Sequence, residues 1–123
     1  MAKKVKKAGD EQFLDIVVQG MQELKAKNIV ILDLRSIESA MADYFVIASG
    51  SSSTHVEAIA NSVEKFTEEH SDDSPRRIEG KRNAKWVLMD YFNTIVHVFD
   101  EETRDFYALE QLWGDGQATR IED

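Results

Sequence analysis

The first half of the chain alternates between helical and strand-like patterns of apolar residues. Near the start, four apolar residues recur at intervals of four, four and three positions: Phe13, Val17, Met21 and Leu24. This spacing places them on one face of a helix, which we predict over residues 10–28 with Asp10 as its N-cap. Residues 29–34 are almost continuously apolar and rich in β-branched side chains, which predicts a strand buried on both faces. A helix followed by a buried strand indicates a layered α/β domain.

A second strand and a second helix are predicted in the middle of the chain. Residues 44–48 form another short apolar run, and a Gly-Ser cluster follows it. Thr54 and Glu57 have the spacing of a capping box, in which each side chain accepts from a backbone N–H at the start of a helix. Behind them lies an apolar stripe at helical spacing: Val56, Ile59, Val63 and Phe66. The helix is expected to end near His70, because residues 71–75 are rich in turn formers and include the only proline.

A β-hairpin is predicted in the last third of the chain. Residues 86–91 and 94–99 alternate with a period of two and are separated by Phe92 and Asn93. A short strand over residues 77–80 precedes them. If the connection is symmetric about its two residues, three cross-strand pairs follow: Trp86 with Phe99, Leu88 with His97, and Asp90 with Ile95. These six side chains would share one face of the sheet, whereas a register slip of one residue would break the group.

The C-terminal region is predicted to be a helix followed by a tail. Residues 101–113 carry three apolar residues at helical spacing: Phe106, Leu109 and Trp113. We expect Phe106, like Phe99 before it, to pack in the core. Residues 114–123 are expected to form a flexible acidic tail.

Composition limits the chain to one domain. It has 123 residues, of which 42% are hydrophobic and 9% aromatic, enough for one core but not for two. No run approaches the ~18 apolar residues that a membrane span needs. Without cysteine, disulfides, thiolate metal sites and cysteine nucleophiles are excluded, and the composition fits a reducing compartment. Residues 1–9 lack the pattern of a signal or transit peptide, so we expect a cytoplasmic protein with one domain over residues 10–113.

Charge is distributed unevenly along the chain. The formal net charge is −8, and four lysines lie within the first seven residues, which leaves −12 on the rest. We expect residues 1–9 to form a flexible basic tail. An acidic body is repelled by phosphate backbones. The protein is therefore expected to make little or no direct contact with nucleic acid and, if it works beside nucleic acid, to attach through a basic protein.

The residue patterns that suggest catalysis are weak. Gly50 and Ser51 precede a helix, where free N–H groups can bind phosphate, but the P-loop pattern is absent and a simple helix cap is favoured. His97 shares a predicted face with Asp90, as a general base and its orienting partner would, yet no nucleophile pattern accompanies them. No predicted strand carries two acids at i and i+2, which a two-metal nucleotide-transfer site needs. We therefore predict no metal, no cofactor and a packing or binding role for His97.

Trp86 is the aromatic residue best suited to an interface. It stands beside Lys85 at the entry of a predicted strand, and a central interface tryptophan contributes ~2 kcal/mol or more to binding. From its position alone, core packing and an interface role are equally open.

Five segments resemble the ribosomal silencing factor family, also called Iojap-like. They are D-Y-F-V-I-A-S-G-S-S-S-T-H-V-E-A-I-A at 43–60, R-I-E-G at 77–80, W-V-L-M-D-Y at 86–91, I-V-H-V-F at 95–99 and F-Y-A-L-E-Q-L-W at 106–113. The segments occur in the order and spacing of the family, from about residue 10 to residue 113. The match therefore covers nearly all of the chain except its two ends.

The resemblance implies both a fold and a function. The implied fold is a mixed β-sheet of about five strands flanked by helices, like that of nucleotidyltransferases but without the catalytic acids. Members of the family are not enzymes: they bind the large ribosomal subunit through its protein number fourteen, on the face where the small subunit docks. They act as steric wedges that prevent subunit joining and repress translation when nutrients are scarce.

The motif match also implies which residues bind the partner. Three belong to the hairpin and two are its expected neighbours: Trp86, Asp90 and Tyr91, then His97 and Glu79. One departure affects this surface, because the family has Gly-Asp where this chain has Phe92 and Asn93. A tight hairpin turn needs a positive φ that phenylalanine adopts poorly. We expect a longer or strained turn whose exposed Phe92 extends the apolar contact patch.

Two other interpretations stay open. The alternative function is an enzyme of nucleotidyltransferase-like fold that handles nucleotides at Gly50 and Ser51 with Asp90 and His97. A homodimer that uses the sheet or its edge for self-association is also possible, and it is compatible with ribosome binding.

Overall fold

The computed structural model describes the backbone of residues 2–122 and the side chains of residues 9–122. This part of the chain forms a six-stranded mixed sheet with helices on both sides. The predicted α/β class is confirmed, with one strand more than expected; the likeness to nucleotidyltransferases stays a prediction. In chain order the elements are α1 (Ala2–Glu23), β1 (Lys27–Asp33), β2 (Tyr44–Gly50), α2 (Ser53–His70), β3 (Arg77–Glu79), β4 (Trp86–Asp90), β5 (Thr94–Asp100), α3 (Glu101–Tyr107), α4 (Leu109–Leu112) and β6 (Gln117–Arg120).

The order of strands across the sheet is β3-β4-β5-β2-β1-β6. β2 and β5 run parallel, and every other neighbouring pair is antiparallel. All seven residues of β2 are buried, as its continuous apolar run predicts. β1 is less covered than expected, because Ile31 and Asp33 are half-buried.

α1 and α2 pack together on one face of the sheet and bury the larger part of the core. Gly20 of α1 allows close contact, since a Cβ there would lie 3.0 Å from the Cα of Val63. The prediction that α1 starts at Asp10 is wrong, because the helix already begins at Ala2. It also ends earlier than expected, at Glu23. The side chains of residues 1–8 lie outside the described residues, and the flexible basic tail expected over residues 1–9 stays a prediction.

The N-cap of α2 lies two residues before Thr54, the N-cap of the predicted capping box. This N-cap is Ser52, whose hydroxyl accepts from the backbone N–H of His55 at 3.1 Å. The Gly-Ser cluster offers several serines that can cap a helix, and spacing alone did not distinguish them. The predicted end at His70 is confirmed.

Among the helices of residues 2–122, none combines the length and the apolar character that a membrane span requires.

The second face of the sheet is covered only in part, by α3, α4 and the segment before β2. The predicted continuous helix over 101–113 is wrong, because Ala108 adopts a left-handed conformation with φ 47° and divides it into α3 and α4. This break turns Phe106 outward, and its side chain is 80% exposed instead of lying in the core. Phe99 and Leu109 are buried, as expected.

The sequence predicted a flexible tail over residues 114–123, but part of this segment is a strand. Gln117–Arg120 form β6, which pairs antiparallel with β1 at the edge of the sheet. All four side chains of β6 are exposed, so the strand leaves no apolar pattern in the sequence. Its stability comes from backbone hydrogen bonds to β1, together with the close packing of Gly116, where a Cβ would lie 2.8 Å from Leu34 Cδ2.

Candidate docking surface

The hairpin of β4 and β5 has the register that its sequence predicts. All three cross-strand pairs are confirmed: Trp86 with Phe99, Leu88 with His97, and Asp90 with Ile95. β3 extends the same rows, with Glu79 opposite Leu88 and Arg77 opposite Asp90. Because residues paired directly across a sheet share a face, four of the five predicted site residues lie on the side away from α1 and α2. We call this side the open face, defined by Glu79, Trp86, Leu88, Asp90 and His97.

Tyr91, the fifth predicted residue, points to the opposite side. It is 4% exposed and lies in the core beneath the two long helices. Its hydroxyl is 2.8 Å from Thr67 Oγ1, and its ring packs edge-on against Phe13 with centroids 5.0 Å apart. Burial raises the pKa of the Tyr91 hydroxyl to about 12. The structure thus separates Tyr91 from the other four residues.

Trp86 is held in a fixed orientation but is not fully covered. Its indole stacks on Phe99 with centroids 4.9 Å apart and contacts the Tyr107 ring of α3 at 4.7 Å. The indole Nε1–H donates a hydrogen bond to Nδ1 of His97 at 3.0 Å. Its polar atom is therefore satisfied internally, and the half-buried ring presents apolar surface at the entry of β4.

The hydrogen bond from Trp86 fixes the tautomer of His97. An indole N–H only donates, so Nδ1 of His97 accepts and its proton resides on Nε2. Nε2 is buried and has no hydrogen-bond partner among the described residues. Burial lowers the pKa of His97 to about 3, so the imidazole is neutral at pH 7. In this state His97 supports Trp86 and is not paired with Asp90.

The Asp90 carboxylate forms hydrogen bonds within the protein. Its Oδ2 accepts from Arg76 Nη2 at 2.9 Å and its Oδ1 accepts from the backbone N–H of Phe92 at 2.9 Å. Burial raises the Asp90 pKa, but the hydrogen bonds from Phe92 and Arg76 and the nearby charges of Arg76 and Arg77 outweigh it, so the pKa lies below its ordinary value. Asp90 is thus a buried carboxylate that stabilises the end of the hairpin.

The connection after Asp90 is strained and exposed, as the departure from the family motif predicts. Phe92 has a left-handed φ of 72° and its side chain is 65% exposed. The guanidinium of Arg76 lies over its ring at 4.4 Å, a cation–π contact. On the other side of the turn the Asn93 carbonyl accepts from the backbone N–H groups of Asp43 and Tyr44. These contacts hold a conformation that phenylalanine seldom adopts.

The geometry argues against a nucleotide site at Gly50 and Ser51. The Ser51 N–H donates to His55 Nδ1 at 2.9 Å, and a Cβ on Gly50 would lie 2.9 Å from a methyl group of Val56. Both residues therefore serve the packing of α2. Asp90 pairs with Ile95 on β5, and Ile95 pairs with Phe45 on β2. Phe45 precedes Gly50 by five residues, so Asp90 and Gly50 are separated by about 17 Å along the strand direction. Within residues 9–122, no group of three or more acidic or histidine side chains is placed to hold a metal ion.

The sequence missed three residues that belong to this surface. Phe106 was predicted to lie on a buried helical stripe and Tyr107 carried no expected role, whereas the structure exposes Phe106 and places the Tyr107 ring against Trp86. Arg76 carried no recognisable pattern, since its pairing with Asp90 depends on how the segment after Pro75 enters β3. Nothing in the sequence marks either feature.

Together these features define a class: a small α/β domain with one side covered by long helices and an aromatic, partly acidic sheet face on the other. Its residues 7–123 match the family described as "Ribosomal silencing factor during starvation". The chain is 36% identical to the ribosomal silencing factor of Halalkalibacterium halodurans, over 92% of this chain and 95% of that protein. It is 37% identical to the one from Bacillus subtilis, over 85% and 87%.

A solved structure agrees with these relatives. A crystal structure of a protein from Chromobacterium violaceum superposes with a TM-score of 0.80 at 32% identity, covering 87% of each chain. The chain belongs to the ribosomal silencing factor (Iojap-like) family, and the resemblance of its motifs is confirmed.

Proposed function

We propose that this protein binds the large ribosomal subunit through ribosomal protein number fourteen and sterically blocks joining with the small subunit, which represses translation under nutrient limitation. Membership of the family supports the function. The observation that carries the site is the open face, where Glu79, Trp86, Asp90 and His97 lie on adjacent strands in register. The mechanism is occupancy without catalysis, and the protein works in the cytoplasm with no cofactor.

The residues of the open face have different roles in this proposal. Trp86 supplies apolar contact area, because its ring is only half-buried and its N–H is already bonded. His97 and Asp90 act beneath the contact: His97 orients the indole, and Asp90 with Arg76 holds the Phe92 turn. Phe92 extends the apolar patch at the far end of β4. Tyr91 supports this turn from the core and makes no contact with the partner.

The chemistry of the partner follows from charge. The chain carries −8 overall and −12 beyond its first seven residues, so it is repelled by ribosomal RNA and attracted to a basic ribosomal protein. An interface of standard size, about 800 Å² on each side, is sufficient for stable binding without RNA contacts. A body placed on the intersubunit face then excludes the small subunit by its volume alone.

Co-sedimentation with purified large subunits tests this proposal. Trp86→Ala is expected to abolish co-sedimentation, whereas Phe66→Ala, which removes a half-buried aromatic ring on α2, leaves it intact. Thermal melting of both variants checks that each is folded at the assay temperature. Wild-type protein that fails to sediment with large subunits would contradict the proposed function, and full binding by Trp86→Ala would remove that residue from the interface.

A salt series and a dilution series separate the remaining alternatives. Binding that persists at moderate salt indicates aromatic contact, since purely electrostatic attachment weakens steeply. Magnesium-dependent nucleotide binding in a calorimetric titration would favour the enzyme alternative. Light scattering across a dilution series measures whether the free protein is a dimer.

A further inference from the structure

We propose that a cleft beside Trp86 binds one lysine or arginine side chain of the ribosomal protein, with the aliphatic stem against Phe106 and Tyr107 and the cationic group at Glu102. The inference rests on the proposed function and identifies the chemistry of one contact within it. It adds α3 to the binding surface, because none of the five site residues implied by the motif match lies on that helix.

The cleft lies between α3 and the connection from β3 to β4. Its volume is about 400 Å³, and its lining includes Trp86, Glu102, Phe106 and Tyr107. Gly80 also lines the cleft: with φ 93°, a Cβ at this position would meet the Trp86 carbonyl oxygen at 2.0 Å, so only glycine permits this close approach of the backbone to Trp86. The connection and α3 thus form two fixed walls.

One wall of the cleft is aromatic and strongly exposed. Phe106 is 80% exposed and Tyr107 48%, with ring centroids 5.1 Å apart in an edge-to-face contact. Long basic side chains lay their methylene groups along such apolar surfaces and place their charge over ring faces or in water. The other large exposed apolar side chains, such as Leu112 and Met41, do not line this cleft.

Glu102 is the acid best placed to meet the cationic group. The other acids of the open face are already paired, Asp90 with Arg76 and Glu79 with Arg77. None of the ion pairs within residues 9–122 involves Glu102. An exposed carboxylate beside aromatic rings therefore matches a basic side chain.

Lys85 also lines the cleft, which therefore carries one cationic and one anionic side chain. The preference for a cation comes from the aromatic wall, because the faces of the exposed Phe106 and Tyr107 rings attract cations and not anions. The cleft therefore favours a cation over an anion.

Charge reversal at two neighbouring acids tests the electrostatic part of the proposal. Glu101 and Glu102 are both exposed in the first turn of α3, but only Glu102 lines the cleft. Titrated with purified large subunits at constant salt, Glu102→Lys is expected to raise Kd at least tenfold, a loss of about 1.4 kcal/mol. Glu101→Lys is expected to change Kd less than threefold. Equal effects of the two variants on Kd would mean that binding responds only to the net charge of the protein, which would overturn the proposal.

Removal of the aromatic wall tests the apolar part. Phe106→Ala is expected to raise Kd about tenfold, while Leu112→Ala, an equally exposed truncation on α4, leaves it within twofold. Both variants should have the same melting temperature as the wild type, because neither side chain is buried. Unchanged binding by Phe106→Ala would overturn the cleft. Absence of wild-type binding would instead reject the proposed function, so the two failures are distinguishable.

Discussion

β4 has two faces that are built in different ways. Its helix side carries Val87 and Met89, fully buried under α1 and α2, and this side continues to Tyr91. Its open side carries Trp86 and Leu88, which stay half-buried because only short helices cover that part of the sheet. Apolar burial stabilises the first face, whereas the second depends on hydrogen bonds and ion pairs that fix partly exposed side chains. The helix side therefore serves stability, and we propose that the open side serves recognition.

Truncation of adjacent residues is expected to give the largest difference between the faces. Met89→Ala removes a fully buried side chain and should lower the free energy of unfolding by about 2–5 kcal/mol. Leu88→Ala removes a half-buried one and should cost less than about 1.5 kcal/mol, since less apolar area is lost. Chemical denaturation measures both values. Similar losses would show that the open face is as buried in solution as the helix side.

Acidification should weaken the open face through His97. Its pKa is about 3 in the folded state, against an ordinary value of 6.5. Between these two values the imidazole is protonated in the unfolded chain but neutral in the folded one, which favours unfolding. This contribution to stability is fully present above pH 6.5 and is lost as the pH falls toward 3. From pH 7 to pH 5 the free energy of unfolding should fall by about 2 kcal/mol.

The matched variant for this pH dependence is His97→Gln, which keeps a hydrogen-bond acceptor near Trp86 but does not titrate. Its unfolding free energy should change less than that of the wild type over the same interval. The acids with lowered pKa values, including Asp90 and Asp100, titrate below 3.8 and contribute little above pH 5. Parallel pH curves for wild type and variant would contradict the buried, neutral state of His97.

Loss of the Tyr91 hydroxyl should affect stability only. Tyr91→Phe removes the hydrogen bond to Thr67 and should cost about 1 kcal/mol, because the Thr67 hydroxyl still donates to the Glu64 carbonyl. Large-subunit binding should not change, since the residue lies on the helix side. Weakened binding with unchanged stability would instead make Tyr91 a direct contact, as the motif match implied.

The smallest effect is expected at the turn. Phe92→Gly relieves a left-handed conformation, which costs an ordinary residue about 1–2 kcal/mol, but loses the contact with Arg76, worth ~0.5–1 kcal/mol. It also frees the backbone of the unfolded chain, which costs about 0.5–1 kcal/mol. The net change in unfolding free energy should therefore stay within about 1 kcal/mol. A larger loss would mean that Phe92 packs as a structural residue.

The hairpin was predictable because two independent local rules agree. A period of two assigns the faces, and a two-residue separation fixes the register, so the pairing of Leu88 with His97 followed from the sequence. The same alternation places Asp90 and Tyr91 on opposite faces. The motif match assigned both residues to the binding surface, whereas the structure places them on opposite faces of the sheet.

The elements that were not predictable depend on contacts distant in sequence. β6 has only exposed side chains, so its pairing with β1 leaves no periodic pattern. The break at Ala108 is a single left-handed residue, and an alanine does not mark such a position. The exposure of Phe106 depends on that break, so the helical spacing of apolar residues did not predict the aromatic wall of the cleft.

Site-specific photo-crosslinking to purified large subunits tests most directly which face binds. A photoreactive residue is placed either at Leu88, on the open face, or at Lys65, exposed on α2 on the helix side. We expect a crosslink from position 88 to ribosomal protein number fourteen and none from position 65. A crosslink from position 65 to that protein, with none from position 88, would contradict the assignment of recognition to the open face.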